Sequence, residues 1–351
     1  MSLFDLDRTQ MAAHLSNEPK FRLKQLWSGI YQNLALPTEQ TNLPKALRES
    51  LGANQELQLA LTQREVLFAD ERKTIKTLYE LKDGKEIETV LMSYSDRATL
   101  CVSSQAGCAM GCVFCATGQA GFFRHLSAAE ILEQVFHGAR TSRDVFSQRL
   151  SNLVFMGMGE PMANYENVIA AIQLIVFEFG ISARHITVST VGITPGIRKL
   201  ASQALPVSLA VSLHAANDEK RSRLVPINDR YPIDEIMDSL EFFAEHSNRR
   251  ISFEWAMMAD INDTDQDARE LAELAKRVGA HVNLIPLNPT PLWPYPGSSE
   301  TAVRNFRDNL VALGINATIR RNRGNQIAAA CGQLITQRRD KVRRRIESFG
   351  R

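Results

Sequence analysis

The sequence predicts an α/β protein: a partial (β/α)6 barrel preceded by a small helical accessory domain and closed by a strand–helix extension. Three observations predict it. Six β-type apolar runs alternate with helical patterns between residues 98 and 313, the pattern of a parallel sheet. The runs are almost continuously apolar, as strands covered by helices are. Six units are too few to close an eight-stranded barrel, so the barrel stays open, with chemistry expected at the C-terminal ends of its strands.

Taken in order, residues 1–80 read as short helices. FRLKQLWSGIYQNL carries apolar residues at helical spacing, and LPKALRESLG stops at Gly52. ELQLALTQREVLFADERKTIKTLYEL is expected to complete this accessory domain. The barrel is expected over 81–314, with strands at Ala98–Ser104, Leu150–Met156, His185–Thr190, Val207–Leu213, Ile251–Met257 and His281–Leu287. Helices are expected near Tyr165–Phe179, Pro195–Gln203, Pro232–Glu245, Thr264–Val278 and Ser299–Leu313. Another starts at Ser127, where Ser127 and Glu130 form a capping box ahead of ILEQVF. The extension, 315–351, holds a strand at Asn316–Arg321 and a helix from about Gln326.

Composition narrows the class. The chain has 351 residues, 44% hydrophobic and 23% charged, which suits a folded core and excludes a disordered chain. Met1–Gln10 has no apolar signal region, and no window suits a membrane span. A cytoplasmic protein with reduced thiols is therefore expected, and its five cysteines are not a disulfide scaffold. The net charge of +2 hides a gradient. Ile315–Arg351 carries ten basic and two acidic residues, 10 − 2 = +8, which leaves 2 − 8 = −6 for the rest. RRDKVRRR is the electrostatic footprint of a nucleic-acid partner, or else a solvated arginine-rich helix.

Cys108, Cys112 and Cys115 stand in one loop, GCAMGCVFC, after the first barrel strand. Thiolates at C-x3-C-x2-C spacing suit an iron–sulfur cluster. Three ligands leave one iron of a [4Fe-4S] cluster open to a small molecule. Phe114, before the last cysteine, would shield the cluster from water. A structural zinc wants four ligands, and His125 could be the fourth. Three inert buried cysteines are the remaining alternative.

Further motifs follow in order: GMGEP at Gly157–Pro161, STVGITPGI from Ser189, SLHAANDEKRSRLVPIN from Ser212, NLIPLNPTP from Asn283 and AACGQL from Ala329. GMGEP lacks the third glycine of a dinucleotide fingerprint. With the cysteine loop, this set resembles the RlmN/Cfr family of radical S-adenosylmethionine (radical SAM) RNA-adenine methyltransferases, over roughly Glu88–Leu334.

The resemblance implies one [4Fe-4S] cluster on Cys108, Cys112 and Cys115, and two SAM molecules per turnover. It implies that Cys331 is methylated and carries the methyl group to RNA, and that Cys101 resolves the protein–RNA adduct through a transient disulfide. Glu88, thirteen residues before Cys101, is implied as the base that takes the ring proton. SAM contacts are implied at Gly159, Glu160, Ser189, Ser212, Leu213, His214 and Asn288. The implied substrate is an adenosine of large-subunit rRNA, with some members also acting on a tRNA anticodon loop. The accessory domain and basic tail would contact RNA, and an electron donor such as flavodoxin would feed the cluster. Pro161 after GMGE resembles the branch that methylates adenine C2, whereas NDRYPIDEIM (Asn228–Met237) is a run associated also with the C8 branch. A zinc-bound RNA-binding protein without activity is the competing class.

Overall fold

The computed structural model describes residues 1–203 and 205–334. Its strands are β1 (Leu61–Ala69), β2 (Thr74–Leu81), β3 (Glu86–Ser93), β4 (Ala98–Cys101), β5 (Gln105–Gly107), β6 (Phe122–His125), β7 (Leu150–Phe155), β8 (Ile186–Thr190), β9 (Ser208–Ser212), β10 (Ile251–Met257), β11 (His281–Pro286) and β12 (Ala317–Ile319). All but β5 and β6 lie in one ten-stranded sheet in chain order, and β5 and β6 form a separate hairpin. From β4 through β12 the pairings within this sheet are parallel, with a helix in the crossovers, so the expected barrel strands are present, with ends close to the predicted ones. Among the described residues β4 and β12 are not paired with each other, so the barrel is open.

The helix Ala128–Phe146 shows how local signals fix an element. Ser127 Oγ accepts from the Glu130 amide at 3.2 Å, and Glu130 accepts from the Ser127 amide at 2.9 Å. Two orphan donors of the first turn are thereby satisfied. One side of this helix is fully buried, including Ile131, Leu132, Val135 and Phe136.

The N-terminal region departs from expectation. Residues 1–57 hold short helices, but the segment read as their continuation is the β1–β2 hairpin, extended by β3 into the main sheet. TIKTLYEL has apolar residues that suit a helix, yet β2 is buried along almost its whole length between its hairpin partners β1 and β3 and beneath the distant C-terminal segment at Ala328. Burial on both faces erases the two-residue alternation that would announce a strand. The missed local signal is Asp83-Gly84, a hairpin turn with Gly84 at φ +73° joining β2 to β3. The helices of residues 1–57 also share the core of the barrel; Phe4 packs on Phe136 with centroids 5.3 Å apart.

The second departure is at the C-terminus. Asn325–Ile327 is a single 3-10 turn, Ala328 is left-handed (φ +49°), and Cys331 lies in a turn rather than a helix. Residues 320–334 instead form a strap that leaves β12 and returns across the open end of the sheet. The basic run 338–345 lies outside the described residues.

Candidate active site

The C-terminal ends of the parallel strands and the strap enclose one cleft, lined by all five cysteines. Cys101 ends β4. Cys108, Cys112 and Cys115 occupy the loop between β5 and the short helix Ala116–Ala120, and Cys331 sits on the strap. The strap is fastened to the cysteine loop itself. The Ala116 amide donates to Gly332 O at 2.7 Å, and Thr117 Oγ1 donates to Leu334 O at 2.6 Å. Asn288 Nδ2 donates to Cys331 O at 3.1 Å, and Gln333 Nε2 to Pro289 O at 3.2 Å. Cys331 and the residues just after it are thus pinned from two sides.

Burial dominates the thiol electrostatics. It pushes Cys101 and Cys108 up to about 12, and raises Cys112 and Cys115 as well. The three loop thiols also raise one another, which places them within electrostatic reach. Desolvated thiols that repel as anions are a donor set that a positive iron or zinc centre relieves, because metal ligation takes the deprotonated form. Among the described residues no three Cys, His, Asp or Glu side chains are already drawn into a closed ligand set. The fit to a [4Fe-4S] cluster rests on three thiols in one cleft with a wall of apolar and aromatic groups. Phe114 packs edge-on against His214 (4.7 Å) and Trp293 (6.4 Å), which keeps water from that side. His125, the candidate fourth zinc ligand, does not line the cleft; its Nδ1 is 3.0 Å from Gln105 Nε2.

The GMGEP turn follows β7. A Cβ on Gly157 would stand 2.6 Å from Val102 O, and one on Gly159 (φ +99°) would stand 2.4 Å from Gln105 Cβ, so both positions require glycine. The turn delivers Glu160 into the cleft. Its carboxylate accepts from the amides of Met162 and Val191, both at 2.9 Å. Burial still lifts its pKa to about 7, because two amide donors do not replace full hydration. A cation arriving beside it, such as an ammonium, would return it to the carboxylate form.

Ser189 lies near the end of β8, Ser212 ends β9, and both line the cleft beside Gly159 and His214. His214 adopts φ +61° and accepts from the Ala256 amide through Nδ1 at 3.0 Å. Burial and nearby Arg221 hold its pKa down at about 3, so it is a neutral ring with its proton on Nε2. Leu213 does not join the site; it is fully buried in the core, and its carbonyl accepts from Arg221. Glu88 is also off the cleft wall, buried on β3 two residues before Val90, which does line it.

Three cationic side chains around the site have no signature in the sequence. Arg221 is fully buried and donates to Leu213 O (3.0 Å), Val191 O (2.5 Å) and Asn228 Oδ1 (2.6 Å), tying the ends of β8 and β9 together. Arg320 lines the cleft just past β12 and lies within electrostatic reach of Cys331, Glu254 and Cys101, all of which raise its pKa. Lys76, on β2, pairs with Glu88 at 2.9 Å. An isolated Lys or Arg in a polar run reads as surface, so only the fold reveals Lys76 and Arg221 as buried and Arg320 as half-buried against the cleft.

Residues 102–275 match the family model of the Radical SAM superfamily. That fixes the class: a radical SAM protein, whose cluster and SAM the cysteine loop and strand-end residues are suited to hold. A solved radical SAM methyltransferase from Sphaerobacter thermophilus superposes with a TM-score of 0.90 at 44% identity, covering 95% of this chain and 99% of that one. A probable dual-specificity RNA methyltransferase RlmN of Mycolicibacterium paratuberculosis is 48% identical over 95% of this chain and 94% of its own length. The corresponding RlmN of Corynebacterium glutamicum is 48% identical over 91% and 89%. The chain belongs to the RlmN family of radical SAM RNA methyltransferases.

Proposed function

We propose that the protein methylates C2 of an adenosine in large-subunit rRNA, and of an anticodon-loop adenosine in tRNA, through a methyl group carried on Cys331. The observation that carries this reading is the shared cleft: Cys331 and Cys101 line the same cavity as the three cluster cysteines, and the strap is bonded to the cluster loop. When bound, the [4Fe-4S] cluster and SAM supply a hydrogen-abstracting carbon radical, which suits a ring carbon too poor in electrons for ordinary methyl transfer. A small electron carrier of the flavodoxin type is the proposed donor.

The residues then have distinct tasks. Cys331 takes a methyl group from one SAM by displacement as its thiolate. Glu160 receives the methionine ammonium of a second SAM, and Ser189, Ser212 and His214 contact the rest of that molecule over Gly159. Asn288 holds the Cys331 backbone and, on this reading, also meets SAM. Once the carrier carbon has bonded to the adenine ring, Glu88 accepts the ring proton, and the odd electron left on the adduct would return to the cluster that supplied it. Cys101 then attacks Cys331 Sγ: the S–S bond forms, the S–CH2 bond breaks, and the electron pair goes to the methylene carbon, which gains a proton and leaves as methyl. The adenosine must be unstacked to reach this depth. The RlmN names of the relatives support the C2 branch over C8.

Mass spectrometry of the purified chain tests the reading. Wild type carries one extra methyl on the Cys331 peptide, Cys331→Ala carries none, and Cys101→Ala accumulates a covalent RNA adduct. A methylated peptide that persists in Cys331→Ala overturns the carrier assignment. Mapping the methylated adenine carbon in rRNA and tRNA decides C2 against C8.

A further inference from the structure

Lys76 is buried in β2, a strand outside the parallel barrel, with 7% of its surface exposed. Its ammonium meets Glu88 Oε1 at 2.9 Å and Ala328 O at 3.3 Å. The first is on the neighbouring strand β3, and the second is on the strap, three residues before Cys331. The register explains the meeting. Lys76 stands opposite Val90, and Val90 stands opposite Cys101, so Lys76, Val90 and Cys101 form one row across three strands on one sheet face. Glu88 is two residues from Val90 and shares that face. Ser103 Oγ, from the segment just past β4, donates to Glu88 O at 2.7 Å and fixes the strand beside it.

A buried lysine–carboxylate pair contributes little net stability, because desolvating two charges offsets their attraction. What this pair adds is geometry. One ammonium joins the carboxylate of β3 to the backbone of the strap, and Gly324 is moored to the same hairpin through Asp70 Oδ2 at 3.0 Å.

We propose that Lys76 is a positioning residue for Glu88: its ammonium holds the Glu88 carboxylate and ties it to the strap, setting the proton acceptor and the methyl carrier relative to one another. This rests on the proposed function, in which Glu88 accepts the ring proton after the carrier carbon has bonded to adenine. Loading of the methyl group onto Cys331 does not involve Glu88. Lys76 therefore separates the two halves of the reaction, acting only in the second.

The test uses the full chain with its cluster reconstituted, as wild type, Lys76→Met, Lys76→Arg and Glu88→Gln. Methyl loading is read by peptide mass, and adduct formation and release by single-turnover reaction with rRNA transcript. Lys76→Met should load Cys331 within about twofold of wild type, yet release methylated RNA at least roughly tenfold more slowly while the covalent adduct builds up. Lys76→Arg, which keeps the charge and two donors, should recover most of the release rate. Three results overturn the proposal: normal release by Lys76→Met, equal loss of loading and release, or an Arg variant no better than Met. If Lys76→Met does not fold, Lys76→Gln is read by the same three criteria. Normal release by Glu88→Gln would instead remove Glu88 as the base, and a wild type without methyl on Cys331 would remove the functional reading itself.

Discussion

Glu160 shows what burial does to a single side chain at this site. Its carboxyl is almost fully buried and its pKa stands near 7, against an ordinary 4.5. The folded form therefore holds its proton after the unfolded chain has lost it. Stability is undiminished below about pH 4.5 and falls as pH rises to 7, by about 3 kcal/mol in total, the free energy of that shift. In urea titrations of the cluster-free chain, Glu160→Gln should lack this component of the slope, and the difference between the two pH profiles measures it. On the proposed role of Glu160 as counter-charge for the SAM ammonium, the same variant should bind SAM at least roughly tenfold more weakly by calorimetry. His214 is the opposite case, a buried base kept neutral, and so it contributes a fixed donor rather than a pH switch. The grouping of Cys108, Cys112 and Cys115 was legible in the sequence because spacing alone gathers three thiols into one loop. Leu213 lies off the cleft for an equally simple reason: successive residues of an extended chain face opposite ways, so Ser212 at the end of β9 and the residue just after it do not both face the cleft.

Elements follow local rules until burial hides them. The GMGEP turn is constrained by packing, not by habit, since Gly159 has a positive φ and no room for a methyl group. Gly159→Ala should cost about 2–4 kcal/mol, combining backbone strain with overpacking against Gln105, and should weaken SAM binding in parallel. A thermal melt unchanged from wild type would mean the turn can relax. The helix Ala128–Phe146 was legible because its capping box is written in four residues, Ser127 to Glu130. The β1–β2 hairpin was not, because β2 takes its burial from strands and the strap rather than from its own periodicity. Its Asp70-Glu71-Arg72 turn, three residues with positive φ, also lacks the glycine that would mark it.

At the largest scale the described residues build one ten-stranded sheet with a strap across its open end and a separate β5–β6 hairpin. Arg323 fastens the strap to the antiparallel side, donating to Ser93 O at 2.7 Å and stacking over Tyr94 at 4.1 Å. Asn322 fastens it to the parallel side through Pro286 O at 3.0 Å. Cys331, the proposed methyl carrier, is thus suspended between the two halves of the sheet. The C-terminal segment that contains it has a sequence charge of +8 against −6 for the rest, which concentrates attraction for RNA at one end of the chain. Replacing Arg343, Arg344 and Arg345 with alanine should weaken RNA binding about equally across sequences. It should also flatten the slope of log affinity against log salt by about 0.7–0.9 for each phosphate no longer neutralised. An unchanged slope would mean that these arginines are solvated and do not touch RNA. Among the described residues no helix is long and apolar enough to cross a membrane.

The sequence by itself determined the parallel strands, the capped helix and the three-cysteine loop, and set Cys101 and Cys331 apart from that loop. Each of these is encoded in contiguous residues or motifs whose chemistry does not depend on distant partners. Only the tertiary structure decided that residues 61–81 form a strand hairpin, that Asn288 holds the Cys331 backbone, that Lys76 and Arg221 are buried cations around the site, and that half-buried Arg320 lines its cleft. Those facts depend on which strands become neighbours. A lysine beside a carboxylate from the next strand, under a strap more than two hundred residues away, has no signature in the order of the residues that surround it.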